Sequence, residues 1–379
     1  MSNVIIFDDN YKNINDIDWD FPNSKQDMMA SIHPYPARFI NEIPGSLIDV
    51  IGCSHDALIL DPFCGSGTTL AEAKKRQFGA IGIDLNPIAC LISRVRTMDD
   101  CPHLMDIADS IIERSRKLCQ KEMIVPSIPN LDHWFKKDIQ QAINAILFEI
   151  NRIESPSLHD VLSLALSAII VRVSNQESDT RYAAIEKSCE VDDVFKGFHF
   201  ACSRIDSAFS TMVPNSSRIE VINKDILQVS ARELGSNIGL VITSPPYPNA
   251  YEYWLYHKYR MWWLGYDPIQ VREYEIGARP KYHKKNGQTE IDFMQQMMQV
   301  FDLQNRCLID GGHICYIVGR SIIHGREINN ADLISRAAQK YDMKKVACIE
   351  RTVSSSKKSF NLAYGKIKTE KILIFRKGI

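Results

Sequence analysis

The sequence predicts an α/β protein with a mostly parallel sheet, flanking helices and a helical insertion after the second strand. Three observations lead there. Short β-branched runs bounded by turn residues occur toward both ends of the chain, as buried parallel strands require. The first two runs are joined by a glycine turn and a helix within about thirty residues, which is a βαβ unit. Between the second and third runs lie about 130 residues of helical periodicity, too long for a structureless loop.

In chain order, the strands are expected at 56–63 (DALILDPF), 79–86 (GAIGIDLN), 218–226 (RIEVINKDI), 238–246 (IGLVITSPP), 311–320, 344–353 and 371–377. TTLAEAKKRQ, with Leu70 and Ala73 on one face, is the helix between the first two. Four amphipathic stretches, beginning MDIADS, HWFKKD, LHDVLS and DDVFKG, fill a helical insertion over 98–214. The chain therefore divides into 1–97, 98–214 and 215–379.

Apolar residues make up 45% and charged residues 24% of the 379 positions, which excludes a disordered or collagenous chain. No run approaches the ~18 consecutive apolar residues of a membrane span, and the acidic start does not read as a signal peptide. A cytoplasmic location without membrane contact is expected. The ten cysteines form no CxxC pair and fall mostly in apolar segments, so they read as buried thiols, with no metal site expected. Since 45 Lys and Arg balance 46 Asp and Glu, binding to a polyanion has to come from a local patch. Residues 351–379 hold eight basic residues against one Glu, and 271–286 hold five against two.

Two motifs carry chemistry. The first is Asp61-Pro62-Phe63-Cys64-Gly65-Ser66-Gly67-Thr68-Thr69, running from the end of the first strand into its helix. Its glycines permit a sharp turn and close approach to the main chain. The GxG spacing completes neither a dinucleotide fingerprint nor a phosphate loop. Asp84 at the tip of the second strand suits the two hydroxyls of a ribose, and Asp225 ending the third suits an exocyclic amine. Three carboxylates on one sheet edge fit a ligand with an ammonium, a ribose and an adenine but no phosphate. S-adenosylmethionine is such a ligand. The second motif, Thr243-Ser244-Pro245-Pro246-Tyr247, ends the fourth strand, and its two prolines make the backbone rigid. The amino nitrogen of a base is a poor nucleophile because its lone pair is delocalised. A Ser244 hydroxyl and a Pro245 carbonyl accepting its N–H groups favour the tetrahedral nitrogen that attack requires. Tyr247 would stack on a base flipped out of the duplex.

Together these motifs resemble the S-adenosylmethionine-dependent DNA amino methyltransferases, which modify cytosine N4 or adenine N6. The resemblance covers about 30–97 and 218–379. It implies a Rossmann-like, seven-stranded, mostly parallel methyltransferase sheet whose last two strands form an antiparallel edge. It divides the enzyme into an N-terminal arm with the cofactor half (1–97), the helical insertion, and a catalytic half (215–379). Ser244, Pro245, Pro246 and Tyr247 then correspond to the catalytic tetrapeptide, and DPFCGSGTT to the cofactor loop. Asp84 with Asn86, Asp225 with Ile226, and Thr243 join the cofactor site. The segment His33-Pro34-Tyr35-Pro36-Ala37-Arg38-Phe39 resembles the one that closes over the cofactor's methionine end, which adds Tyr35, Pro36, Arg38 and Phe39.

In that family, Ser at the first tetrapeptide position leans toward cytosine N4, and Asp or Asn toward adenine N6. The expected activity is therefore N4-cytosine methylation of double-stranded DNA, alongside a cognate restriction endonuclease or defence complex. N6-adenine methylation, an RNA guanine amino methyltransferase and a non-catalytic cofactor-binding subunit stand as alternatives. No target-recognition domain is evident after the seventh strand. Recognition is expected from the helical insertion, particularly 174–182, or from the segment after the tetrapeptide. Arg181, Arg272, Arg279, Lys281, Lys284 and Lys285 are the DNA-binding candidates. His257, Lys258 and Arg260 read either as phosphate contacts among aromatics or, with Trp254, Trp262 and Trp263, as part of a packed helix.

Overall fold

A computed structural model describes residues 2–25, 27–36, 40–249, 252–283, 286–353 and 369–378. The candidates Arg38, Phe39, Lys284 and Lys285, and most of the basic run 351–379, lie outside the described residues. The strands are β1 Asn3–Ile6, β2 Leu58–Asp61, β3 Ala80–Asp84, β4 Gln176–Ser178, β5 Arg181–Ala184 and β6 Ile219–Asn223. They continue with β7 Ile238–Thr243, β8 Leu308–Val318, β9 Ser321–Ile323, β10 Arg326–Ile328, β11 Lys344–Thr352 and β12 Thr369–Arg376. The α-helices are α1 Glu42–Ile51, α2 Thr68–Lys75, α3 Pro87–Arg96, α4 Leu104–Leu118, α5 Leu131–Trp134, α6 Lys137–Ile150 and α7 Pro156–Ile169. After them come α8 Val191–Phe209, α9 Ala231–Leu234, α10 Tyr253–Trp263, α11 Pro268–Tyr274, α12 Arg279–His283, α13 Glu290–Cys307 and α14 Asn330–Gln339.

The central sheet has the order β1-β11-β12-β8-β7-β2-β3-β6. From β6 to β8 every neighbour pair is parallel, and β12, β11 and β1 add antiparallel pairs. All seven expected strands are present, and β12 and β11 are the antiparallel pair. An eighth, β1, lies beyond β11 at the edge; it is four residues long, with only Val4 and Ile6 turned inward.

Period-two alternation splits the sheet's side chains between two cores. On β8, Ile314 and Tyr316 join α13 and α14 on one face, while Cys315 and Ile317 join α1 and α2 on the other. The alternation repeats on β7, where Val241 and Ile242 take opposite faces. A third core joins α3, α4, α6, α7, α8 and α10. Helix starts follow local chemistry: Asn86 caps α3 with Pro87 at its first position, and Ser155 with Pro156 does the same for α7.

Between β3 and β6 the chain is helical except for the β4–β5 hairpin, which periodicity did not reveal. Arg260 on α10 holds it. This guanidinium is fully buried, donates to the carbonyls of Ser167 and Tyr256 (both 3.1 Å) and pairs with Asp179 in the hairpin turn. Lys258 lies over the rings of Trp134, Tyr182 and Tyr259 at 5.5, 5.5 and 4.6 Å. His257 and Trp263 are fully buried. Packing has thus claimed Arg260 and His257, so the phosphate-contact reading is corrected for both. Arg260→Ala leaves Asp179 without its cation, and a loss of about 3 kcal/mol is expected in urea unfolding.

Candidate active site

The order β7-β2-β3-β6 places four consecutive parallel strand ends on one edge. The turn 243–247, the loop 61–67, Asp84 and Asp225 therefore share the side where open α/β sheets bind ligands.

The loop is built from beneath by α3. Ser93 Oγ donates to the Gly65 carbonyl (2.8 Å), and Arg96 Nη1 donates to the Ser66 carbonyl (2.9 Å) and Thr68 Oγ1 (3.1 Å). Gly65 and Gly67 have φ of 51° and 75°. A Cβ on Gly67 would meet Ser93 Oγ at 2.8 Å, and one on Gly65 would meet the Tyr35 hydroxyl at 2.9 Å. Protein side chains thus make close approaches that these glycines permit. The Cys64 N–H donates to the Ile83 carbonyl (2.9 Å), which ties the loop to β3. Pro62, Cys64, Ser66 and Thr68 are buried, while Phe63 is partly buried against the sheet core.

Asp61 is fully buried. Its Oδ1 accepts from Thr243 Oγ1 (2.7 Å) and from the Phe63 N–H (3.1 Å), whereas Oδ2 has no hydrogen-bond partner among the described residues. Thr69 Oγ1 donates to the Ile242 carbonyl (3.3 Å), a second tie between the two motifs. Asp84 accepts from the Gly65 N–H (2.9 Å) and the Asn86 N–H (2.8 Å), one on each oxygen, and each oxygen keeps a second lone pair. Burial pushes both carboxyls up to about 6. Asn86 Oδ1 caps Ile88, and its buried Nδ2 has no partner among the described residues. Asp225 caps Leu227 (3.0 Å), and Ile226 is buried in the core beside it.

In the second motif, Pro245 is buried and Ser244 Oγ lies 3.4 Å from the Tyr247 hydroxyl, which donates to the Ile317 carbonyl (3.3 Å). Burial pushes the Tyr247 hydroxyl up to about 12. Glycines confine this tyrosine at both ends. A Cβ on Gly319 would meet its ring at 3.3 Å, and one on Gly277 would meet its carbonyl oxygen at 2.3 Å. Asn330 donates to the Gly319 carbonyl (3.0 Å) and fixes that contact.

Tyr35 stacks on Tyr253 and His257 of α10, at centroid distances of 5.9 and 5.4 Å, and Pro36 is buried beside it. Glu275, Gly277, Gly319, Ser93, Arg96 and Tyr253 were not singled out from sequence, and His257 was, but for phosphate contact rather than for packing on Tyr35. Only Ser93 and Arg96 carried a signal, being polar, three apart and on one face of an apolar helix.

The basic candidates are scattered. Arg272 is exposed, with its guanidinium 5.4 Å from the Trp254 ring centroid, and Arg279 is partly buried. Lys281 is half-buried, donates to the Glu273 carbonyl (2.8 Å), and its ammonium feels Asp225 and Glu275. Arg181 is exposed on the hairpin and pairs with Glu177 (2.8 Å). Among the described residues no cluster of His, Cys, Asp or Glu could hold a metal ion, and no helix is long and apolar enough to cross a membrane.

The DNA methylase family model for N6 and N4 enzymes matches residues 6–94, which include the loop 61–67 and Asp84. The type II methyltransferase M.BsoBI of Geobacillus stearothermophilus is 26% identical over 275 residues, covering 63% of this chain and 53% of that protein. The type II methyltransferase M.MvaI of Kocuria varians is 27% identical over 157 residues, covering 39% of this chain and 35% of that protein. The chain thus spans about a third to a half of the length of these curated relatives. A TehB-like SAM-dependent methyltransferase from Corynebacterium glutamicum aligns at TM-score 0.32 and 10% identity, over 88% of this chain and 86% of that one. The family model over residues 6–94 and the type II methyltransferases among the relatives support a DNA amino methyltransferase of the N6/N4 family.

Proposed function

We propose that this chain transfers a methyl group from S-adenosylmethionine to the exocyclic N4 of cytosine in double-stranded DNA. The observation that carries the proposal is the buried hydrogen bond from Thr243 to Asp61, which joins the catalytic turn to the cofactor loop. The residues present fit the cofactor. Asp61 Oδ2 is a buried acceptor with no partner among the described residues, suited to an ammonium, and Asp84 retains lone pairs for ribose hydroxyls. Asp225 would take the adenine amine, beside the apolar wall of Ile226. Tyr35, Pro36, Arg38 and Phe39 would close the methionine end.

When bound, the sulfonium supplies an already activated methyl group. The protein's work is then positioning and hydrogen bonding. Ser244 Oγ and the Pro245 carbonyl accept the N–H groups of the target amine, Pro246 holds the turn rigid, and Tyr247 stacks on the flipped base. Ser244 in the first tetrapeptide position supports cytosine N4, following the family correlation. Arg272 and Arg279 behind the tetrapeptide, with Arg181 on the hairpin, supply phosphate contacts. Lys281, Lys284 and Lys285 extend that basic segment. A cognate restriction endonuclease is the expected partner, in keeping with the type II naming of the relatives.

A pH dependence follows. Asp61 and Asp84 titrate near 6 rather than at their ordinary value of 3.8. The ionised Asp61 attracts the cofactor's ammonium, and the ionised Asp84 offers both oxygens as acceptors to the ribose hydroxyls, so cofactor affinity is full above pH 7 and falls as pH drops through 6. The limiting loss is about tenfold per pH unit for each carboxyl, readable by calorimetric titration. For the free protein the sign reverses. The folded state binds more protons than the unfolded chain between about 4 and 6, so these two acids make it less stable as pH rises through that window.

The test uses labelled cofactor with duplex DNA and tRNA as competing acceptors, followed by hydrolysis to nucleosides and mass identification. N4-methyldeoxycytidine is the expected product. N6-methyldeoxyadenosine, label in guanine of tRNA, or bound cofactor with no acceptor would each refute the proposal.

A further inference from the structure

Glu275 is a carboxylate in an unexpected place. It is 7% exposed and lies at the end of α11, yet it receives the Tyr253 N–H (2.8 Å) and the Trp254 N–H (3.4 Å) at the start of α10. A helix start leaves several N–H groups without intrahelical partners, and an oxygen acceptor there is favoured; burial pushes the Glu275 carboxyl up to about 8, so it caps by accepting hydrogen bonds rather than by its charge. The residue next to the helix, Glu252, makes no side-chain capping bond to the backbone of the described residues; it takes the Trp254 indole N–H (3.2 Å). Glu275 thus caps α10 from across the fold. Burying a carboxylate is costly unless it is well bonded, so apolar packing alone does not explain an acid here.

Its two sides lead to the two motifs. Tyr253, the first residue of α10, and His257, one turn on, stack on Tyr35, whose hydroxyl rests on Gly65 of the cofactor loop. Two residues past Glu275, Gly277 adopts φ of 77° and brings its backbone against the Tyr247 carbonyl. Ile276 between them is buried in the sheet core. A single four-residue segment, 275–278, therefore touches the aromatic cover of the cofactor loop through α10 and the catalytic turn directly.

Building on the proposed function, we infer that Glu275 is a positioning residue for methyl transfer, setting the spacing between the cofactor loop and the Ser244–Tyr247 turn. The test compares Glu275→Ala and Glu275→Gln in the full chain. Glutamine keeps one oxygen for the Tyr253 N–H, but its amide nitrogen cannot accept from Trp254. Amide hydrogen exchange over 253–257 in the free protein is expected to quicken by about tenfold in the alanine variant and less in the glutamine variant. At saturating cofactor, kcat should fall roughly thirtyfold in Glu275→Ala, with at least half of the logarithmic loss recovered in Glu275→Gln. KM for DNA should stay within about twofold, since no DNA contact is removed. Should the alanine variant fail to fold, the glutamine variant decides on the same exchange and kcat readings. A kcat within threefold of wild type despite faster exchange would overturn the inference, as would kcat, KM and melting temperature all deteriorating together. Wild-type protein that transfers no methyl to DNA would instead refute the functional reading beneath it.

Discussion

Ser244→Ala and Tyr247→Ala are each expected to lower methyl transfer to DNA by about 10²- to 10³-fold, while the cofactor Kd stays within about threefold of wild type. The geometry explains the split. Asp61 and Asp84, the proposed cofactor carboxylates, take their hydrogen bonds from Thr243, Phe63, Gly65 and Asn86, none of which depends on the Ser244 hydroxyl or the Tyr247 ring. Tyr247→Phe separates the ring from its hydroxyl. It loses the bonds to Ile317 and Ser244 but keeps the stacking face, so its activity should lie between wild type and Tyr247→Ala. Single-turnover transfer and equilibrium dialysis of the cofactor are the measurements. Parallel loss of binding and transfer would count against these roles.

The second large effect is expected at a residue without a functional side chain. Gly277→Ala puts a methyl 2.3 Å from the Tyr247 carbonyl oxygen, at a positive φ that L-residues rarely adopt. The obstacle is backbone, so no rotamer change relieves it, and the turn has to move. A displacement near 1 Å at a reacting centre costs about 10²-fold in rate, and the backbone strain adds about 1 kcal/mol of instability. Gly325→Ala is the control. It also has positive φ, at 78°, but none of the described residues lies within 4 Å of the added carbon. Gly277→Ala should lose transfer while Gly325→Ala retains it, both compared at matched folded fractions by circular dichroism.

What could be read from sequence follows from where each signal lives. The parallel strands announce themselves because both faces are covered, giving continuous runs such as LILD and IGLVIT. The βαβ unit then fixes which ends face the ligand, so Asp61, Asp84 and the Ser244 turn could be placed on one edge before any coordinates. Strand β1 escaped because it is four residues long and only half-buried. The β4–β5 hairpin escaped because QESDTRYAA has no alternating apolar face. It stands through tertiary ties to Arg260 and Lys258. Arg260 looked like a phosphate ligand for the same reason, since charge is visible in a sequence but burial against a distant acid is not. Glu275 sits 22 residues from the amide it caps, a contact that no local pattern encodes.

The central claim is that the cofactor loop and the Ser244–Tyr247 turn work on one ligand in one cleft. A crystal structure with bound S-adenosylmethionine tests it most directly. The ammonium is expected at Asp61 Oδ2, the ribose at Asp84, and the sulfonium methyl directed toward Ser244 and Pro245. Cofactor seated away from Asp61 and Asp84, or with its methyl turned from the Ser244 hydroxyl, would contradict it.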